Sequence, residues 1–155
     1  MIGSRCFLFL FLSFPFVLPA QEDLRQQMAK ACPLFFADPE LARKSWETLS
    51  PQRVASDPRL QAYRGAACFA LARFEKKIDA KKKWIVEGIK WVEQAVNKMP
   101  EDVEIRLLRF SIQSNLPPAA GYAKHQGQDK LFITQNISRI PDESRRREIL
   151  NLLSP

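Results

Sequence analysis

Prolines and the capping residues beside them divide this chain into short segments, each with a helical pattern. Asp38 and Asp57 are each followed by a proline. Aspartate is favoured as the N-cap of a helix and proline at its first position, so each Asp-Pro pair indicates a helix start. Pro100 ends a further apolar run, and Asp102 is the natural N-cap of the next. No window alternates apolar and polar residues between turn signals, as a strand does. The sequence therefore predicts an all-α protein.

The segments between these signals predict about six to seven helices. The clearest periodicity lies at Ile85, Ile89, Val92 and Val96, which share one face of a helix. Short links between helices with apolar faces force neighbours to pack antiparallel. We therefore expect stacked antiparallel helical hairpins, with helices near 22–36, 38–49, 57–74, 85–99, 102–115 and 129–137, and a last one after Pro141.

The first 20 residues have the pattern of a secretory signal peptide. Arg5 precedes an apolar run from Cys6 to Leu18, and Pro19 and Ala20 follow it. At 13 residues the run is shorter than the roughly 20 that a membrane-spanning helix needs. We expect cleavage after Ala20 and one exported domain, 21–155, that is periplasmic or secreted and has no membrane span. The alternative is an uncleaved membrane anchor.

Lysines concentrate the positive charge of the chain, formally +7, in the segment FEKKIDAKKKW. Such a cluster could bind an anionic polymer or an anionic membrane surface, or it could be a solvated turn between helices. No aromatic residues interleave with the lysines as in proteins that bind single-stranded nucleic acid, so we do not expect a nucleic-acid partner. The basic residues are Lys76, Lys77, Lys81, Lys82 and Lys83.

Two cysteines, Cys32 and Cys68, remain after the expected cleavage. In an oxidising compartment they could form a disulfide, and in apolar surroundings they could equally pack as free thiols. The sequence leaves both alternatives open. No Cys-x-x-Cys pattern occurs and His125 is the only histidine, so we expect neither a metal site nor another cofactor.

Catalytic patterns are absent from the sequence. Nucleophilic catalysis would have to use His125, with Asp129 four residues later as the group that orients it. None of the five glycines belongs to a phosphate-binding loop. We therefore predict a protein that is not an enzyme, with an activity that uses His125 as the alternative.

Five polar side chains are candidates for binding. Arg106 and Arg109 border the apolar face of the helix that begins after Asp102, and a pair of arginines beside a groove can hold a carboxylate. The alternative is that they form ion pairs within the protein, with a carboxylate of the same helix or a neighbouring one. The candidate set is Arg106, Arg109, Tyr63, Glu104 and Tyr122.

The spacing Gly88-x3-Val92-x2-Ala95-x4-Pro100 resembles the second helix of a tetratricopeptide repeat. The preceding segment AYRGAACF is similar to the first helix of such a repeat, so the repeat-like core covers about 58–115. The separation of these two segments is longer than a standard repeat allows, which makes the pattern a degenerate one. The resemblance implies a helical stack that binds a protein or peptide.

A second resemblance covers most of the expected mature chain. PEDVEIRLLRFSIQSNLP, followed by Gly-Tyr and a later Asp, is similar to a group of small uncharacterised bacterial exported proteins. It implies no activity. It favours a bacterial periplasmic or cell-envelope setting, with another protein or a peptide there as the partner.

Overall fold

The protein is described by a computed structural model that covers residues 19–154, so the apolar run of the predicted signal peptide lies outside the described residues. Within 19–154 the chain forms eight α-helices, three short 3-10 helices and no strand. The all-α prediction is confirmed. The helices are α1 Pro19–Ala31, α2 Pro39–Thr48, α3 Pro51–Val54, α4 Pro58–Phe74, α5 Ile78–Lys98, α6 Val103–Asn115, α7 Gln126–Asn136 and α8 Glu143–Leu153. None of these helices is both long and apolar enough to cross a membrane.

Aspartate side chains cap four of the helices. Asp38, Asp57, Asp102 and Asp142 each accept a hydrogen bond from a backbone N–H in the first turn of the helix that follows. Each bond satisfies a donor that the helix itself leaves without a partner, and losing such a cap costs about 1 kcal/mol. The helix starts therefore follow from local sequence signals.

Several helix boundaries differ from the sequence prediction, most of all the end of α1 and the start of α5, and α3 was not predicted. α1 ends at Ala31 because Cys32–Leu34, which contains a proline, tightens into a 3-10 turn. α5 begins at Ile78 and not near Ile85, so most of the lysine segment forms the first turns of a helix and is not a solvated turn. Lysine is a good helix former, and the segment contains no glycine or proline to stop the helix.

The hairpin of α4 and α5 is the centre of the fold. The two helices run antiparallel, since Gly65 lies against Val92 while Phe69 lies against Gly88. A Cβ atom at Gly65 would lie 3.0 Å from the backbone oxygen of Gly88, so the two backbones are in close contact at this crossing. α4 is buried over an unbroken run of 13 residues, from Leu60 to Ala72, because other helices surround it.

The following helices extend this stack. α6 packs on the end of α5, where Ile105 meets Ala95 in a small apolar cluster. α7 runs antiparallel to α6, since Ser114 bonds to Gln126 while Arg109 bonds to Asp129. α8 closes the end of the stack by burying apolar side chains in a second core shared with α6 and α7. The result is a series of antiparallel helix pairs, as the short links predict.

Both cysteines of the described region are free and buried. Cys32 packs in the main core, and Cys68 is fully enclosed within α4. Burial raises the pKa of each thiol from the ordinary value of 9.0 to about 12. The thiols are therefore neutral side chains that pack as small apolar groups.

The raised thiol pKa values predict a loss of stability in alkali. Above pH 9.0 the unfolded chain releases thiol protons that the folded chain keeps, up to a pH of about 12. The stabilisation is complete below this window and is lost as the pH rises through it, by up to about 1.4 kcal/mol per pH unit for each thiol. Urea unfolding at a series of pH values should show a smaller slope for Cys68→Ala than for the wild type. Equal slopes would contradict a titrating free thiol at this position.

Candidate binding groove

A groove with a volume of about 840 Å³ runs along one face of the stack. Its lining comes chiefly from α1, α4, α6 and α8, with one turn of α5 at its edge. α4 and α6 are the first helices of the two central hairpins, and no residue of α7 lines the groove. Its volume is within the range of roughly 300–1,000 Å³ that is typical of ligand pockets.

Arginines hold the helices of the groove side by side. Arg25 of α1 donates to the cap residue of α4, Asp57, with its Nε 2.6 Å from Oδ2. Arg59 of α4 donates in the same way to the cap residue of α6, Asp102, at 2.8 Å. Both aspartates are buried, and each accepts a charge-assisted hydrogen bond from a partly exposed arginine. Contacts within the protein therefore form the groove before any ligand binds.

Apolar side chains form the greater part of the groove lining. Phe69 contributes from α4, Leu108 and Ile112 from α6, and Leu152 from α8. Leu152 is 47% exposed, so an aliphatic side chain faces water at the groove edge. Such a surface gains free energy when a ligand covers it, at about 25 cal/mol for each Å² of apolar area removed from water.

Positive charge predominates at one part of the groove. Lys30, Arg73 and Lys81 line it, and none of the three forms an ion pair with another residue of 19–154. The groove also contains Arg145, but the carboxylate of Glu148 neutralises it at 3.1 Å. Arg73 and Lys81 flank the turn between α4 and α5, so this end of the groove attracts anionic groups.

Two of the five candidate binding residues, Tyr63 and Glu104, line the groove. Burial, assisted by the nearby charge of Glu104, raises the pKa of the Tyr63 phenol above its ordinary range. Tyr63 is therefore a neutral hydroxyl near the beginning of α4. Glu104 is the carboxylate at this end, away from the turn that carries Arg73 and Lys81.

The structure places Arg109 in a buried ionic network and not at the groove. Arg109 is 2% exposed, and its side chain forms a fork on Asp129, with Nε 2.7 Å from Oδ2 and Nη2 2.8 Å from Oδ1. Nη1 also donates to Glu93 of α5 at 3.0 Å. Burial alone would lower the pKa of Arg109, but the bonds to Asp129 and Glu93 raise it above its ordinary value. The guanidinium is permanently charged and fully occupied by protein partners.

Arg106 and Tyr122 belong to the same network. Arg106 forms an ion pair with Asp129, with Nη1 2.9 Å from Oδ1, and its guanidinium carbon lies 4.7 Å from the centre of the Phe132 ring. The Tyr122 hydroxyl donates to Glu93 at 2.6 Å, and burial together with this bond raises the pKa of the phenol. α7 runs antiparallel to α6, which places Asp129 opposite Arg106 and Arg109. Both arginines therefore contact Asp129 and lie away from the groove.

Sequence reasoning missed the acidic half of this network. Glu93 lies on α5 beside residues that face solvent, and Asp129 stands in a segment with weak helical periodicity. No signal in the sequence pairs either residue with Arg109, because the contacts join residues 16 and 20 positions apart on three different helices. In the structure, Asp129 is completely buried, and this burial identifies it as the central carboxylate of the ionic network.

The surroundings of His125 differ from those of a catalytic dyad. Its Nδ1 lies 3.3 Å from the amide oxygen of Gln128. The Asp129 carboxylate faces Arg106 and Arg109 and not the imidazole. Within the described chain no group of three side chains is arranged to hold a metal ion.

The lysine segment lies at the start of α5. Lys76, Lys77, Lys82 and Lys83 are exposed, whereas Lys81 is partly buried and lines the groove. The segment therefore has two faces, one that borders the groove and one that faces water.

No protein-family model, curated protein or solved structure matches this chain. The resemblances to tetratricopeptide repeats and to small exported bacterial proteins remain predictions from the sequence. Any function must therefore be inferred from the groove and from the surface of the helical stack.

Proposed function

We propose that this protein is a non-catalytic binding module whose groove holds a segment of a partner protein or a peptide. The preformed apolar groove along α4 and α6, with unpaired cations at one end, is the observation that supports this proposal. A preformed site lowers the entropic cost of binding because the protein does not have to become ordered around its ligand. The expected setting is the bacterial cell envelope, because the N-terminal pattern predicts export and the resemblance to small exported bacterial proteins favours that location.

The lining of the groove defines the chemistry of the partner segment. Apolar side chains of the partner would cover Leu108 and Leu152, which removes aliphatic surface from water. A carboxylate, either of a side chain or of the chain terminus, would face Arg73 and Lys81. The expected ligand is therefore an apolar segment with an acidic group at one end.

A fluorescent probe with the same chemistry tests the groove directly. Anilinonaphthalene sulfonate combines an aromatic body with one anionic group, and N-phenylnaphthylamine is an analogue without the charge. We expect Ser111→Trp, which fills the groove, to weaken the binding of both probes. We expect Arg73→Glu combined with Lys81→Glu to weaken the binding of the anionic probe only, by about tenfold. A tenfold change in the dissociation constant corresponds to about 1.4 kcal/mol of binding free energy. Fluorescence titration measures both dissociation constants.

Matched variants outside the groove serve as controls. Gln135→Trp adds the same bulk on α7, and Lys44→Glu combined with Lys124→Glu changes the net charge equally at exposed positions. These controls should bind both probes as the wild type does. If they weaken binding as strongly as the groove variants, or if Ser111→Trp has no effect, the groove is not the binding site.

A further inference from the structure

The outer face of α5 carries exposed aliphatic side chains between lysines. Ile78 and Val86 are 69% and 67% exposed, so this face of the helix presents two aliphatic side chains to water. They lie eight residues apart on one stripe of the helix, about 12 Å along its axis. Lys82 occupies the position between them and Lys83 is its neighbour, so apolar and basic groups alternate on a single surface.

The lysines of this surface are not neutralised within the protein. Every ion pair among residues 19–154 uses an arginine, and none uses a lysine. Residues 75–90 contain six lysines against three carboxylates, those of Glu75, Asp79 and Glu87. Glu87 points inward to Arg64, so the outer face retains an excess of positive charge.

We propose that the outer face of the first half of α5 docks on an anionic lipid bilayer. The lysines would contact lipid phosphates, while Ile78 and Val86 would enter the boundary between headgroups and acyl chains. The positive charge of the lysines indicates that the partner surface is anionic. The exposed aliphatic side chains indicate that this partner surface is a lipid bilayer. A soluble polyanion would leave both aliphatic groups in water.

The arrangement of the aliphatic groups also argues against a folded protein on this face. Protein interfaces bury a contiguous apolar centre and keep charge at the rim. Here Lys82 lies between Ile78 and Val86 along the helix, so a basic side chain interrupts the exposed aliphatic surface. Side chains that reach separately between lipid headgroups do not need to be contiguous.

Docking on a bilayer through α5 does not depend on what the groove binds, although the outer face of α5 adjoins the groove. Lys81 lies on the turn of α5 that joins the docking face to the groove. A protein docked through α5 would hold the Arg73 and Lys81 end of the groove near the membrane surface. A segment of a membrane-bound partner could then reach the groove without crossing a long distance.

Vesicle sedimentation with the purified protein tests the proposal. The probes are vesicles of phosphatidylcholine alone and vesicles of phosphatidylcholine mixed with phosphatidylglycerol. One variant combines Lys82→Glu with Lys83→Glu, and a second combines Ile78→Ser with Val86→Ser. The matched controls are Lys44→Glu with Lys124→Glu for charge, and Leu34→Ser with Leu131→Ser for exposed aliphatic groups elsewhere.

We expect the wild type to bind only the mixed vesicles, and to bind them less strongly as salt increases. The lysine variant should bind at least about 25-fold more weakly, since each basic residue at an anionic surface contributes roughly fivefold. The aliphatic variant should lose about tenfold, and both controls should bind as the wild type does. Circular dichroism should show unchanged helicity for all four variants.

Two results would overturn the proposal. The first is an absence of binding to the mixed vesicles at low salt. The second is full binding by the aliphatic variant together with loss of binding by the lysine variant, which would indicate a purely electrostatic site and a soluble polyanion as its ligand. Neither result bears on binding of naphthalene probes in the groove.

Discussion

Replacing Arg109 with methionine is expected to lower the free energy of unfolding by about 3–5 kcal/mol, because the substitution breaks a buried ion pair from one side. Asp129 is fully buried, and without Arg109 it would keep only the ion pair with Arg106. Glu93 would lose its cationic partner as well. Methionine fills a similar volume, so the loss reflects uncompensated charge more than an empty cavity. Urea unfolding monitored by circular dichroism measures the change.

Two further variants separate the ionic network from general effects of substitution. Arg147→Met removes an exposed arginine of α8 and should change stability by no more than about 0.5 kcal/mol. Asp129→Asn in the Arg109→Met background removes the buried charge that has lost its main partner, and it should recover part of the loss. A loss below about 1 kcal/mol for Arg109→Met, which is the range of exposed ion pairs, would contradict the buried network.

Gly65→Ala is expected to lower the free energy of unfolding by about 1–3 kcal/mol, the usual range for overpacking a tight contact. In the middle of a helix, alanine would normally be favoured over glycine by up to about 1 kcal/mol. At this position the added Cβ would lie 2.6 Å from a methyl group of Val92 and 3.0 Å from the backbone oxygen of Gly88. Because the backbone cannot move aside as a side chain can, α4 and α5 would have to separate. Thermal or urea unfolding measures the loss.

Gly127→Ala is the matched control for this substitution. Gly127 lies in the first turn of α7, and a Cβ there would meet nothing within 4 Å. This change should raise stability by roughly 0.5 kcal/mol, since alanine reduces the freedom of the unfolded chain. If Gly65→Ala also raised stability, the close crossing of α4 and α5 would be disproved.

Local sequence signals allowed many of the helices, and the positions where they begin, to be predicted. A capping aspartate before a proline fixes the start of α2 and of α4, and both predictions hold within one residue. Such signals act over three or four residues, so they can be read directly from the sequence. The start of α5 was missed because lysines were interpreted by their charge, although their helix propensity decides the local structure.

The partners of the arginines could not be predicted in this way. Arg106 and Arg109 were considered both as ligand contacts and as members of internal ion pairs, and their spacing on α6 is compatible with either. The choice depends on Asp129 and Glu93, which reach them only after α7 folds back and α5 packs alongside. The groove has the same origin, since four helices distant in sequence contribute to it. Contacts of this kind leave no periodic pattern in a single sequence.

Site-specific photocrosslinking in living cells of the source organism tests the central claim, that the groove binds a partner segment. A benzophenone side chain at position 152 would replace an exposed leucine at the groove edge without filling the groove, and one at position 135 would project from the exposed side of α7. We expect an adduct from position 152 that is absent from position 135 and is lost when Arg73→Glu and Lys81→Glu are added. Mass spectrometry should map it to an apolar partner segment with an acidic group. Equal adducts from both positions, or none from position 152, would contradict the proposed function.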